Sequence, residues 1–188
     1  IAEYYAMISH LDAELGKVLD KLKDNDLIDN TIIILAGDNG LAVGQHGLMG
    51  KQSTYEHSIH VPLVMAGPDV PENETRDAFV YLFDIFPTLC ELSGLPIPNS
   101  VEGKSMIPVL RDASQKIRDT LYFAYTSLHR CVKTDRYKLI EYMVDGKRTT
   151  QLFDLQEDPW EINNLAEYPE FRSIRQQLQQ ELFRLRDE

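Results

Sequence analysis

The chain has 188 residues, within the range of a single domain, and its 43% apolar and 26% charged composition suffices for a real core. A net charge of −11 opposes binding to nucleic acid or to anionic membrane, so neither is an expected partner. No run of about 18 apolar residues occurs, so no membrane-spanning helix is expected.

Ile8, Leu11, Leu15, Val18, Leu19 and Leu22 recur at helical spacing. They predict an amphipathic helix over residues 3–24, with Lys17, Asp20, Lys21 and Lys23 on its wet side. The pattern is under way at the first residue, with no initiator Met and no capping residue ahead of it, which reads as the beginning of a fragment. Thr31 to Ala36 is continuously apolar and rich in β-branched residues, the pattern of a strand buried on both faces of a parallel sheet. A second buried strand is expected at Val61 to Ala66, closed by Gly67-Pro68. Ala78 to Tyr81 reads as a short strand. Leu82 to Leu92 reads as a helix with Pro87 in an early turn and Gly94 after its end. Met106 to Leu110 reads as a helical turn.

After Asp119 the pattern changes. Leu121–Tyr125, Arg130–Lys133, Tyr137–Met143 and Thr149–Phe153 are short strand-like runs, and Asp145-Gly146 between the last two is a hairpin signal. A small antiparallel sheet is expected, followed by a helix with Phe171, Ile174, Leu178, Leu182 and Leu185 on one face. Cys90 and Cys131 are too few for a disulfide framework and are expected as core thiols. Asn73-Glu74-Thr75 matches a glycosylation acceptor, a triplet that chance often produces.

Chemistry concentrates between Asp38 and Lys51, in DNGLAVGQHGLMGK. Ligands of open α/β sheets bind beyond the carboxyl ends of strands, where this segment lies. Asp38 and Asn39 offer hard oxygen donors suited to Ca²⁺ or Mg²⁺, although two ligands do not complete a Ca²⁺ shell. His46 can hydrogen-bond an oxyanion or give a proton to a leaving oxygen, and Lys51 can clamp a phosphate or sulfate. Gly40, Gly44, Gly47 and Gly50 permit close approach and left-handed turns. The competing reading is a plain turn, because Asn-Gly is itself a common turn signal. His57 and His60 have a spacing open to metal binding, and His10 is read as non-functional.

Taken together the chain resembles the C-terminal half of the sulfatases, in the alkaline phosphatase superfamily. The resemblance runs through Ile8, Asp12 and Gly16, Leu27 to Thr31, Asp38-Asn39-Gly40, Gly44 to Gly47, Gly50-Lys51, Tyr55-Glu56 and Val61-Pro62-Leu63. It continues through Asp84 to Leu89, Leu95-Pro96, Glu102-Gly103, Tyr137 to Leu139, Leu152 to Leu155, Asp158-Pro159, Glu161 and Asn164-Leu165. It implies an α/β fold, part of an alkaline-phosphatase-like sandwich with a small antiparallel sheet and a closing helix at its C-terminal end. The expected division is residues 1–118 as part of the catalytic domain and 119–188 as the antiparallel subdomain.

The resemblance also implies a formylglycine nucleophile, made from Cys or Ser, that attacks sulfur, and a Ca²⁺ ion that binds the sulfate oxygens. Asp38 and Asn39 correspond to the second pair of metal ligands. Lys51 corresponds to the lysine on the sulfate, and His46 to a substrate-side or supporting residue. No Cys/Ser-Xaa-Pro-Xaa-Arg segment occurs among these 188 residues. The expectation is therefore half of a Ca²⁺ and sulfate site, inactive without the remainder of the same polypeptide, acting on a sulfated small molecule or carbohydrate. Arg130 and His129, in the turn after Ser127, are candidate sugar contacts. Relatives work in the periplasm, outside the cell or in lysosomes, and these residues carry no address. Two alternatives stand beside this reading: a phosphodiesterase or phosphonate monoester hydrolase of the same superfamily, and a non-catalytic binding module.

Overall fold

A computed structural model of the chain describes residues 1–187, which form two compact units. The first comprises Ile1–Gly37, Pro62–Arg76 and Leu82–Ala113. The second comprises Asp38–Val61, Asp77–Tyr81 and the chain from Ser114 on.

In the first unit, helix α1 spans Ala2–Asp24, and Asn25 Nδ2 donates to Lys21 O at 2.7 Å beyond its end. The sequence places apolar residues on one face as expected, but none of them is buried: Leu11 is 56% and Val18 58% exposed. Strand β1, Ile33–Ala36, pairs antiparallel with the later strand Leu63–Ala66, in a register that sets Ile33 opposite Ala66 and Ala36 opposite Leu63. This corrects the expectation of parallel strands buried on both faces. The Leu63–Ala66 strand alternates in burial, and Leu35 and Val64 are exposed. An uninterrupted apolar run says that both faces are apolar, but not which neighbour lies beside the strand or in which direction it runs. Gly67 follows with φ of +127°, and a Cβ there would stand 2.5 Å from Thr31 O, so only glycine fits.

The rest of this unit is held by side chains that satisfy backbone ends. A 3₁₀ turn at Leu82–Asp84 runs into a helix at Ile85–Leu92. Buried Asp84 accepts from Lys104 N at 2.8 Å, and Thr88 Oγ1 accepts from Met106 N at 2.8 Å. The short helix Ile107–Arg111 ends on Arg76, whose Nε and Nη2 donate to Val109 O and Leu110 O at 2.6 and 2.8 Å. The free thiol of Cys90 is buried, as expected.

The second unit contains a short hairpin, β2 (Ala42–Val43) with β3 (Met49–Gly50), and a one-turn helix, α2 (Glu56–Ile59). The strand Leu63–Ala66 of the first unit is β4, and its helices Ile85–Leu92 and Ile107–Arg111 are α3 and α4. The second unit's sheet is the expected meander: β5 (Leu121–Tyr125), β6 (His129–Lys133), β7 (Tyr137–Val144) and β8 (Lys147–Asp154), all antiparallel. Asp145 and Gly146 join β7 to β8 with φ of 50° and 71°, the two left-handed residues that a two-residue turn of primed type needs. The run Ala78–Tyr81 corrects another expectation, since it joins no ladder. Its order comes from a side chain instead: Tyr81 Oη accepts from Tyr122 N at 2.6 Å.

Strand alternation gives the sheet two apolar faces. Val132, Leu139 and Leu152 stand in one row and pack against Leu178 and Leu182 of the closing helix α5, Arg172–Asp187. Cys131, Ile140 and Phe153 point the other way and pack against Tyr55. The second face thus carries the segment singled out by the sequence, and the first face supports the sheet from behind. Leu182 is 1% exposed, so Leu182→Ala should cost about 2–5 kcal/mol of unfolding free energy. A shift of the denaturant midpoint at unchanged slope would measure this.

Candidate functional site

The site segment is fastened to the sheet by charge. Lys133 and Lys138 stand directly opposite one another on β6 and β7, which puts two ammonium groups side by side on the face that packs against Tyr55. Like charges at facing positions repel. Glu56, at the start of α2, resolves the conflict: its Oε2 lies 2.7 Å from Lys133 Nζ and its Oε1 2.9 Å from Lys138 Nζ. Glu161 completes the group. Its Oε1 lies 2.6 Å from Lys138 Nζ, and its Oε2 accepts from Glu56 N at 2.7 Å. Lys138 is fully buried and Glu161 is 3% exposed, while Lys133 and Glu56 are half-buried, so the two cations and two carboxylates balance largely away from water. Burial alone would disfavour an ionised Glu56. The hydrogen bond from His60 and the charges of Lys138 and Lys133 outweigh it and hold the carboxyl far below its ordinary 4.5.

From this anchor the chain runs back to the hairpin. Asn39 Nδ2 donates to Gly40 O at 2.8 Å and to Lys51 O at 3.2 Å, drawing together two positions twelve residues apart. Gly40 N donates to Ser58 O at 2.8 Å. A Cβ on Gly40 would overlap His57 O and come within 3.1 Å of Ser58 Cα, so a backbone crossing requires glycine there. At the hairpin's far end Gly44, His46 and Gly47 have φ of 112°, 54° and 70°. The His46 ring lies flat on Tyr55, centroids 3.9 Å apart and planes 5° from parallel. His57 Nε2 lies 3.2 Å from Ser53 Oγ, which in turn lies 2.8 Å from Ser58 Oγ. Burial, followed by the nearby His46 and Lys138 charges, pushes the His57 imidazolium below its ordinary 6.5, so His57 is neutral at pH 7.

The structure brings Asn39 and Lys51 together and sets His46 at the tip of the hairpin between them. Asp38, Asn39, His46 and Lys51 are all exposed. Both bonds of Asn39 use its amide nitrogen, which leaves Oδ1 as the atom free to meet a ligand. Among the described residues no hydrogen bond or ion pair engages the side chains of Asp38 or Lys51. Among the described residues no cluster of three or more His, Cys, Asp or Glu could hold a metal. The fit to Ca²⁺ or Mg²⁺ is therefore that of a partial shell: hard oxygen donors of the right type, fewer than either ion needs. His57 and His60 face different partners, since His60 Nδ1 lies 3.4 Å from Glu56 Oε2. Arg130 is occupied within its own turn, donating to Thr126 O and His129 O, both at 2.7 Å. His129 packs edge-on against Tyr142. Burial pushes the Cys131 thiol up to about 12, which makes it inert at neutral pH.

Sequence reasoning missed Lys133 and Gln151 and gave Tyr55, Glu56, Lys138 and Glu161, all within the motifs of the resemblance, no role. The signal for the clamp was two lysines at strand positions that must face the core side of a hairpin. The signal for Tyr55 was weaker, an aromatic four residues after Lys51.

A family model described as N-sulphoglucosamine sulphohydrolase, C-terminal, matches residues 44–188. The chain belongs to the sulfatase family. Arylsulfatase K of Gallus gallus is 34% identical over 182 residues, which cover 90% of this chain and 34% of that protein. The chain thus spans about a third of the length of the curated sulfatases that it matches. A solved structure described as in complex with its substrate D-glucosamine-2-N,6-O-disulfate superposes with a TM-score of 0.90 at 27% identity, covering 98% of this chain and 40% of the other. Phosphonate monoester hydrolase of Agrobacterium radiobacter superposes with a TM-score of 0.84 at 28% identity, covering 98% and 40%. These likenesses give the chain the alkaline-phosphatase-like fold of the sulfatases.

The clamp is testable in this sulfatase chain. Folding favours ionised Glu56, because its folded value lies below its unfolded one. Its contribution is therefore complete above about pH 4.5 and is lost as pH falls below that toward the depressed folded value. Glu56→Gln should destabilise by about 3 kcal/mol or more at pH 7, since it leaves buried Lys138 short of a partner. Denaturant titrations at a series of pH values should show this gap closing only below pH 4.5.

Proposed function

We propose that the chain is the C-terminal part of a sulfuric ester hydrolase and supplies half of its Ca²⁺ and sulfate site. The observation that carries this reading is the bond from Asn39 to the backbone of Lys51, which brings a residue with a hard oxygen donor and a residue whose cation has no partner among the described residues to one end of a clamped hairpin. A tetrahedral sulfuryl group needs such a surface, with positive charge on its oxygens and room for an alcohol to leave. In this reading Asp38 and Asn39 Oδ1 hold Ca²⁺, with Mg²⁺ as the alternative hard cation. When bound, the ion neutralises sulfate oxygens as a Lewis acid. The Lys51 ammonium sits as a point charge against the same oxygens and stabilises the charge that grows on them as the ester bond breaks. In the same reading His46 hydrogen-bonds a substrate oxygen or hands a proton to the departing alcohol. The attacking nucleophile, a formylglycine in this reading, would come from the remainder of the same polypeptide. Sulfated carbohydrate is the favoured substrate class, supported by the substrate named for the superposed structure.

The likeness to a phosphonate monoester hydrolase favours a second reading, hydrolysis of a phosphorus monoanion ester at the same surface. Sulfate esters and phosphorus monoanion esters share shape and charge. Full-length protein assayed on nitrophenyl sulfate and on a nitrophenyl phosphonate ester separates the two. The expected result is turnover of the sulfate, abolished by chelation and restored by Ca²⁺. Preference for the phosphonate would sink the first reading. Lys51→Ala should lower kcat/KM about 100-fold or more. Lys51→Arg should not restore it fully, because a planar fork replaces a compact charge.

A further inference from the structure

The glycine-flanked backbone around His46 does not by itself fix where the imidazole points. Three left-handed residues, Gly44, His46 and Gly47, break up the single 3₁₀ turn Gln45–Gly47 at that tip, and the strands behind it are two residues each. A two-stranded ribbon of this length is not stable by itself. What the His46 ring does touch is Tyr55, over a full face, at 3.9 Å and 5°. Tyr55 is itself held on three sides. Its Oη donates to Gln151 Oε1 at 2.9 Å, its ring packs on Phe153 at 6.1 Å, and its neighbour Glu56 is locked by the two lysines. Gln151 and Phe153 both lie on β8 and point to the same face of the sheet. Tyr55 is 8% exposed, whereas His46 is exposed.

We infer that Tyr55 is a positioning residue: it carries the rigidity of the sheet to the hairpin tip and fixes the orientation of the His46 imidazole. The role in turnover rests on the hydrolase reading above; the orienting role does not. Face-to-face contact immobilises the imidazole plane while leaving its nitrogen atoms at the rim, where they remain able to exchange hydrogen bonds. A misdirected catalytic ring loses rate far more than it loses binding.

The test uses the full-length protein with labelled histidine, the His46 signals being assigned with His46→Ala. In the unmodified protein the His46 ring protons should be displaced upfield by the Tyr55 ring current and show cross-relaxation to Tyr55 ring protons. Absence of both would overturn the inference without any variant. Tyr55→Leu should abolish the upfield displacement and lower kcat about tenfold or more with little change in KM. Tyr55→Phe keeps the ring, and should restore the displacement and most of the lost turnover. If Tyr55→Leu leaves the His46 signals in place, or if Tyr55→Phe is as impaired as Tyr55→Leu, the inference fails. If the full-length protein turns over no ester while the spectra behave as expected, the hydrolase reading fails and the positioning role stands.

Discussion

Lys133 and Lys138 face one another across two strands, and the energy of that juxtaposition has to be met by something other than water. Glu56 meets both, and Glu161 meets Lys138 and the backbone of Glu56. Such a buried group adds little net stability over an apolar packing of equal volume, but losing one member leaves an unpaired charge in the interior. Its effect is therefore chiefly on register. Residue 56 has one place on the sheet where both carboxylate oxygens are used, and Tyr55 before it and Ser58 after it are placed with it.

The candidate site follows from that placement in steps that need no further regular structure. Tyr55 lands on Phe153 and Gln151. Ser58 O receives Gly40 N, which requires that position 40 lack a Cβ. Asn39 then reaches Lys51 and closes the hairpin. The side chains left over are the chemically useful ones: Asp38, the Oδ1 of Asn39, Lys51 and, on the Tyr55 platform, His46. A surface loop rich in reactive groups is ordered here by a scaffold it does not itself contain, the arrangement in which binding groups are commonly found.

The C-terminal meander was legible from sequence almost residue by residue. Its strands alternate, its tight turn is Asp-Gly, and its closing helix repeats Phe171, Ile174, Leu178, Leu182 and Leu185 at helical spacing. These signals are local, and local physics decides them. The first unit was legible in element type and misread in partnership. Thr31–Ala36 does contain a strand, Ile33–Ala36, yet its neighbour runs antiparallel and its last two residues, Leu35 and Ala36, are exposed. Likewise α1 forms where its periodicity says, with none of its apolar residues buried. Periodicity records which side of an element is apolar, and what lies against that side is a long-range fact.

For the site, sequence alone determined the inventory: two oxygen donors, a lysine and a histidine among glycines, with the order of motifs that marks a sulfatase. It also put glycine at several of the positions where the chain turns left-handed, Gly44, Gly47 and Gly50 among them. Only the tertiary structure decided how these groups are held. The opposition of Lys133 and Lys138, their sharing of Glu56, the crossing at Gly40 and the stacking of His46 on Tyr55 join residues as far apart as position 56 and position 161. No short-range pattern encodes such contacts, because they arise from the register of a sheet and the direction of side chains across it.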